Sequence, residues 1–259
     1  MITSAGNSRI KRVVQLNQKA KARKEENAFL VEGLKMFQEA PIEKIRDVYV
    51  TESFYHKNPL CRKKLQDCNY ELVSEEVFGK ISDTKTPQGI LCVVEQFQYQ
   101  LNQIINKQNP LIVVVEDLQD PGNLGTIIRT GEGAGIDGVI MSKNTVDIYN
   151  PKVIRATMGS IYRVPFLYEE NLAQVLVRMH EKEIRTYAAH LAGSNYYNSF
   201  SFTGGTAFLI GNEGNGLCEE TASHATSYIK IPMEGQVESL NAAIAASLLM
   251  YEAKRQRTV

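Results

Sequence analysis

Short apolar-rich runs recur through the second half of the chain, at residues 111–115 (LIVVV), 138–141 (GVIM), 185–189 (RTYAA), 206–210 (TAFLI) and 228–231 (YIKI). The run at 111–115 is continuously apolar, as expected for a strand covered on both faces. Between these runs, residues 122–132, 152–158 and 171–183 read as helices, 162–166 as a strand-like piece, and 241–255 as a long alanine-rich helix. Strands alternating with helices predict a mostly parallel sheet. In the first half, residues 10–24 read as a helix, and 29–40 starts as a strand and turns helical after Gly33. Residues 48–50, 71–73 and 88–94 read as strands, and Ser74 followed by Glu75 and Glu76 opens a further helix. The pattern divides the chain into a small α/β domain at 1–95, a linker rich in Gln and Asn at 96–110, and a larger α/β domain at 111–259.

Composition narrows the class. With 43% hydrophobic and 22% charged residues, the chain has the make-up of an ordinary globular protein rather than a disordered one. The apolar stretch at 242–251 is broken by Ser247 and falls short of the roughly 20 residues of a membrane span. The first 24 residues are polar and basic, unlike a secretory leader. The expected location is therefore the cytoplasm, away from any membrane. The four cysteines show no C-x-x-C spacing and the four histidines no metal-ligand spacing, so reduced thiols and no metal are expected. Net charge is zero, yet residues 1–24 carry seven lysines and arginines and no acid. Such an arm suits a polyanion, with a solvated helix face as the plainer reading.

Three segments follow predicted strands, where open α/β sheets place ligands. They are EDLQDPGNLGTIIRT (116–130), IGNEGNGL (210–217) and IPMEGQVESLN (231–241). Glycines at strand ends let backbone amides approach a ligand, which favours a nucleotide-like molecule. Plain turn glycines would explain one such loop, but explain three less well. No Walker-type phosphate cradle is present, and Gly131-Glu132-Gly133 lies within a helix, the wrong context for a dinucleotide fingerprint. That disfavours a nicotinamide-dependent oxidoreductase. Ser239 is the expected N-cap of the final helix, whose free N–H groups then face the loop.

Together the loops resemble the three motifs of the SpoU (TrmH) family of RNA ribose 2′-O-methyltransferases, of the SPOUT class. The motifs correspond to Asn123 through Arg129, to Gly211-Asn212-Glu213-Gly214, and to Ile231-Pro232-Met233 followed by Ser239-Leu240-Asn241. Phe29 to Gly33 and Thr86 to Gly89 resemble the small L30e-like domain that often precedes them. The resemblance implies a SPOUT α/β-knot, a deep trefoil, and a homodimer with its site at the subunit interface. It implies S-adenosyl-L-methionine as cofactor, bound by Leu191, Ala192, Gly193, Ile210, Gly211, Asn212, Gly214, Ile231, Met233 and Leu240. It implies a catalytic set of Arg129, Asn123, Glu213, Ser239 and Asn241, with Glu213 pairing an arginine or orienting the ribose. The RNA is expected to be 23S ribosomal RNA ahead of tRNA. Arg9, Lys11, Arg12, Lys19, Arg23, Lys152 and Arg155 are the candidate phosphate contacts. A catalytically silent RNA-binding or ribosome-assembly protein of the same fold is the alternative.

Overall fold

The structure, a computed structural model, describes residues 1–190, 193 and 195–258. It contains two compact units, one of Met1–Phe97 with Asp147–Tyr162 and the other of Gln98–Val146 with Arg163–Val259.

The first unit runs α1 (Ser8–Gln18), α2 (Ala20–Glu26), β1 (Ala28–Glu32), α3 (Leu34–Glu39), β2 (Ile45–Thr51), α4 (Glu52–Lys57), α5 (Arg62–Gln66), β3 (Tyr70–Val73), α6 (Glu75–Ile81) and β4 (Ile90–Glu95). Its sheet has the order β1-β4-β2-β3, antiparallel except for the β2–β3 pair. Ile10, Val13 and Leu16 of α1 pack with Leu30, Tyr49, Phe78 and Leu91. The amino-terminal helix is thus a core element, not an appended arm. The single helix expected at 10–24 breaks at Lys19, whose backbone is extended (φ −121°, ψ 116°). The guanidinium of Arg23 turns inward and donates to the carbonyls of Leu16 (2.7 Å) and Asn17 (3.2 Å). Those carbonyls, orphaned where α1 ends, are thereby satisfied without the helix continuing.

The second unit runs α7 (Leu101–Ile105), β5 (Leu111–Val115), α8 (Pro121–Ala134) and β6 (Gly138–Ser142). The chain then forms α9 (Pro151–Thr157), which belongs to the first unit. It continues with β7 (Phe166–Glu169), α10 (Leu172–Glu181), β8 (Arg185–Ala189), β9 (Asn195–Tyr196), β10 (Thr206–Ile210), α11 (Glu219–Ser223), β11 (Ser227–Lys230) and α12 (Ala242–Arg257). The seven strands are all parallel, in the order β7-β6-β5-β10-β8-β11-β9. One face of the sheet, with Ile112, Val114, Ile140 and Leu209, packs against Leu172, Leu176 and Met179 of α10.

Three expectations shift. The stretch read as a linker carries α7, because Leu101, Ile104 and Ile105 recur at helical spacing and join the same core. The strand expected at 162–166 starts only at Phe166, since Pro165 has no N–H for the ladder. Residues Asp147–Tyr162, expected in the C-terminal domain, pack with the first unit. There the Tyr149 ring meets Phe29 with centroids 4.6 Å apart, and its hydroxyl donates to the Phe97 carbonyl at 3.0 Å. Tyr162 donates to the Met36 carbonyl at 3.0 Å.

Candidate functional site

The C-terminal ends of β5, β10 and β11 carry the three loops singled out from the sequence. Parallel pairing sets Ile210 beside Val115, and the Glu116 N–H donates to the Ile210 carbonyl at 2.9 Å. The first two loops therefore leave the sheet side by side.

Asp120 caps α8 by accepting from the Asn123 N–H at 2.8 Å, and Pro121 occupies the first turn, where no N–H is needed. The second loop folds on itself. Asn212 and Gly216 exchange two backbone hydrogen bonds of 2.9 Å each. The Asn212 carboxamide oxygen accepts from the N–H groups of Gly214 (2.9 Å) and Asn215 (3.1 Å), and its amide donates to the Asp117 carbonyl at 2.8 Å. At Gly211 a Cβ would lie 2.1 Å from the Gly216 carbonyl carbon, so only glycine fits this crossing.

Glu213 ties the loops together. Its carboxylate accepts from the backbone N–H groups of Gln119 (3.1 Å) and Asp120 (3.0 Å) and from the Asn123 amide (2.9 Å). Partial burial pushes its pKa up, but the Asn123 and backbone hydrogen bonds together outweigh that and hold it below the usual carboxylate range. Glu213 was expected to pair an arginine or orient a ribose. Within the chain its bonds go to the first loop, which makes it a latch between motifs. The Asn123 carboxamide oxygen in turn accepts from the Asn241 amide at 2.9 Å. One chain of hydrogen bonds, Glu213 to Asn123 to Asn241, thus joins all three loops.

Asn241, not Ser239, caps α12, accepting from the N–H groups of Ala243 (2.9 Å) and Ile244 (3.3 Å). It stands immediately before the first helical residue, whereas Ser239 lies two residues earlier in the loop. Small residues let α12 lie close to α8. A Cβ on Gly131 would meet the Met250 sulfur of α12 at 3.5 Å and one on Gly133 the Tyr251 hydroxyl at 3.0 Å, and Lys254 of α12 donates to the Gly133 carbonyl at 2.5 Å.

A cavity of about 300 Å³ opens where these loops converge. Its lining includes the apolar Ile210, Ile231, Met233 and Leu240 and residues 211–216 of the second loop. Glu213 and Ser239 also face it, as do His190, Lys230 and Glu238, which the sequence reading missed. His190 and Lys230 stand at the ends of β8 and β11, so their strand-end positions were the available sign. Among the described residues no cluster of His, Cys, Asp and Glu is arranged to hold a metal.

The SpoU rRNA Methylase family model matches residues 110–251, which span all three loops and more than half of the chain. The chain belongs to this family. An MRM3-like substrate binding domain matches residues 7–92, the bulk of the first unit. Over 252 residues the chain is 29% identical to the 23S rRNA (guanosine(2553)-2′-O)-methyltransferase RlmP of Bacillus subtilis, covering 96% of this chain and 97% of that one. An uncharacterised tRNA/rRNA methyltransferase of Synechocystis is 33% identical over 260 residues, covering 99% of this chain and 94% of that one. The crystal structure of an AdoMet-bound rRNA methyltransferase from Sinorhizobium meliloti superposes with a TM-score of 0.88 at 31% identity, covering 98% of this chain and 97% of that one.

Within this member of the family, the structure gathers Asn123, Glu213, Asn241 and Ser239 at one place. Ile210, Gly211, Asn212, Gly214, Ile231, Met233 and Leu240 line the cavity. Gly193 instead lies against β11, where a Cβ would meet the Ile229 carbonyl carbon at 3.0 Å. Leu191 and Ala192 fall outside the described residues. Arg129 is exposed on α8 and forms no ion pair with any described residue. Glu116, an acid directly after a wholly apolar strand, was also overlooked. It accepts from the Cys218 N–H at 2.7 Å and from the Thr221 hydroxyl, anchoring the exit of the second loop.

The candidate phosphate contacts separate into two groups. Arg23 is 4% exposed and pairs with Asp147 at 2.6 Å, so it is unavailable to RNA. Arg12 bridges Glu26 and Asp47, Arg9 pairs with Glu71, and Arg155 pairs with Asp83. Lys11, Lys19 and Lys152 are exposed. Of the seven positive charges of the first 24 residues, those of Arg9, Arg12, Lys21 and Arg23 are thus taken up in ion pairs within the fold.

Proposed function

We propose that this protein transfers the methyl group of S-adenosyl-L-methionine to a ribose 2′-hydroxyl of ribosomal RNA, 23S RNA ahead of transfer RNA. Family membership makes it an RNA methyltransferase. The observation that carries the rest is the Glu213–Asn123–Asn241 chain joining three loops beside a cavity lined by the second loop. The site suits the cofactor's chemistry. Its sulfonium and ammonium groups are cationic and would meet Glu213 and Glu238, its carboxylate would meet Lys230, and its adenine would meet Ile210, Ile231 and Leu240.

The bound cofactor supplies an activated methyl. One carbon–sulfur bond breaks, one carbon–oxygen bond forms, and the hydroxyl proton leaves to solvent. The protein's task is to position the two reactants and stabilise charge at the oxygen. Arg129 takes that second role. An arginine stays cationic at working pH and presents a forked donor set, so it serves as a clamp for the adjacent phosphate and the developing alkoxide. Asn123 and Asn241 hold the first and third loops in register, and Ser239 faces the bound molecules.

Purified protein given labelled methyl donor and ribosomal RNA from cells lacking the gene is expected to label a 2′-O-methyl site that parental RNA already carries. Tight binding of that RNA without label would favour the silent assembly factor. Among the described residues no helix is long and apolar enough to cross a membrane, and we place the activity in the cytoplasm with its RNA.

A homodimer completes this reading. Ile244, Leu248 and Tyr251 form a stripe on α12 and remain 50%, 40% and 48% exposed. Large apolar side chains aligned on one helix face indicate a partner. Leu248→Glu is expected to yield a monomer by sedimentation with most activity lost, and a fully active monomer would overturn the assignment. The trefoil knot is proposed on the return of α12 from β11 to α8, β10 and β5. Pulling the chain by its ends should leave a contour shortened by the tightened knot, and full extension would exclude it.

A further inference from the structure

The first unit carries an aromatic cluster that the methyl-transfer site does not use. Tyr55 on α4 and Tyr70 on β3 stack with centroids 6.1 Å apart and planes 18° from parallel. The Arg62 guanidinium lies over the Tyr55 ring at 5.0 Å, held by a hydrogen bond to the Tyr55 carbonyl. His56 meets Tyr55 edge-on at 5.8 Å. Both tyrosines are only half-buried, and β3 is the edge strand of its sheet. Between α4 and α5, Leu60 is 92% exposed.

Positive charge predominates around the cluster, with Glu71, directly after Tyr70, paired to Arg9. Residues 53–66 contain Lys57, Arg62, Lys63 and Lys64 and no acid, with Glu52 and Asp67 just outside. Lys64 is committed to the carbonyls of Gln38 and Ala40. Lys57 and Lys63 are exposed and form no ion pair with any described residue. Half-exposed stacked rings, a guanidinium over one of them and free lysines alongside suit a flat, electron-rich ligand attached to a polyanion. This is the chemistry of an unpaired nucleotide, whose base stacks on aromatic or guanidinium planes while lysines hold its phosphates.

We infer that Tyr55, Tyr70, His56 and Arg62 form a stacking surface for an unpaired base of the RNA, with Lys57 and Lys63 on the flanking phosphates. The surface rests on the proposed RNA reading and deepens it, because it assigns to the first unit a single-stranded feature to recognise. It also supplies exposed cations where Arg9, Arg12 and Arg23 are taken up by the fold.

The test uses the full chain and a labelled oligoadenylate of about 12 nucleotides, followed by fluorescence anisotropy. Tyr70→Leu and Tyr55→Leu are expected to weaken binding about tenfold or more, and Tyr70→Phe, which keeps the ring, to leave it close to the parent. The salt slope should be unchanged in the leucine variants, which lose no charge, and shallower in a Lys57→Ala, Lys63→Ala double variant. S-adenosylhomocysteine affinity should stay at the parental value throughout. Leucine variants that melt like the parent and bind the oligonucleotide equally well would overturn the surface. Ultraviolet crosslinking of the parent protein provides a check independent of any variant's folding. Crosslinks at Tyr55 or Tyr70 are expected, and their absence alongside crosslinks elsewhere counts against the surface. Methyl transfer to ribosomal RNA is read separately, so the surface can fail while the activity stands, or the reverse.

Discussion

Arg129→Ala should lower turnover by about 10²- to 10³-fold while S-adenosylhomocysteine binds within about twofold of the parent, because the arginine acts on charge that develops only as the oxygen reacts. The geometry separates the two readouts. Arg129 is exposed on α8, outside the residues lining the cavity, and holds no other part of the fold through an ion pair with any described residue. Its loss leaves the second loop, the Glu213 latch and the α12 cap in place. Arg129→Lys keeps the charge but loses the planar fork, so it should recover only part of the rate. Single-turnover assays with saturating cofactor and RNA, set beside calorimetry, provide the comparison. If cofactor affinity fell as far as turnover in the alanine variant, Arg129 would belong to the cofactor site and the clamp role would fail.

The sequence made the chemistry legible where residue type and backbone geometry coincide. A run such as LIVVV must be buried on both faces, and a loop such as GNEGNG must fold tightly, so β5, β10 and the residues around Gly211 could be placed in advance. The latch was not visible. Glu213 lies 90 residues beyond Asn123, and only the parallel pairing of β5 with β10 brings them to 2.9 Å. The Asn241 cap was misplaced for a local reason: Ser and Asn are both good caps, and which one serves depends on where the helical turn closes. The basic amino terminus misled for another reason. Charge counts do not show which way a side chain points, and Arg23 points inward to finish α1. The packing of residues 147–162 with the first unit had no local sign, since it depends on Tyr149 meeting Phe29 across a long sequence separation.

Gly211→Ala should have the larger effect on cofactor binding. The added methyl would stand 2.1 Å from the Gly216 carbonyl carbon and 2.2 Å from the Leu217 nitrogen, both backbone atoms. No rotamer change relieves contacts of that kind, so the paired turn between Asn212 and Gly216 must open. Overpacking of this sort costs about 1–3 kcal/mol, and at about 1.4 kcal/mol per tenfold the affinity for S-adenosylhomocysteine should fall about 10- to 100-fold. Gly214→Ala provides the contrast. Its added methyl meets nothing nearer than the Asn212 carboxamide oxygen at 3.5 Å, an ordinary contact. If the loop's folded shape controls binding, Gly211→Ala loses far more affinity than Gly214→Ala, and the stability of the first unit is untouched. Equal losses from both would mean that the ligand itself meets each glycine, and that the backbone crossing at Gly211 is not the controlling feature. Calorimetry on the two variants, with melting curves to show that each remains folded, decides between them.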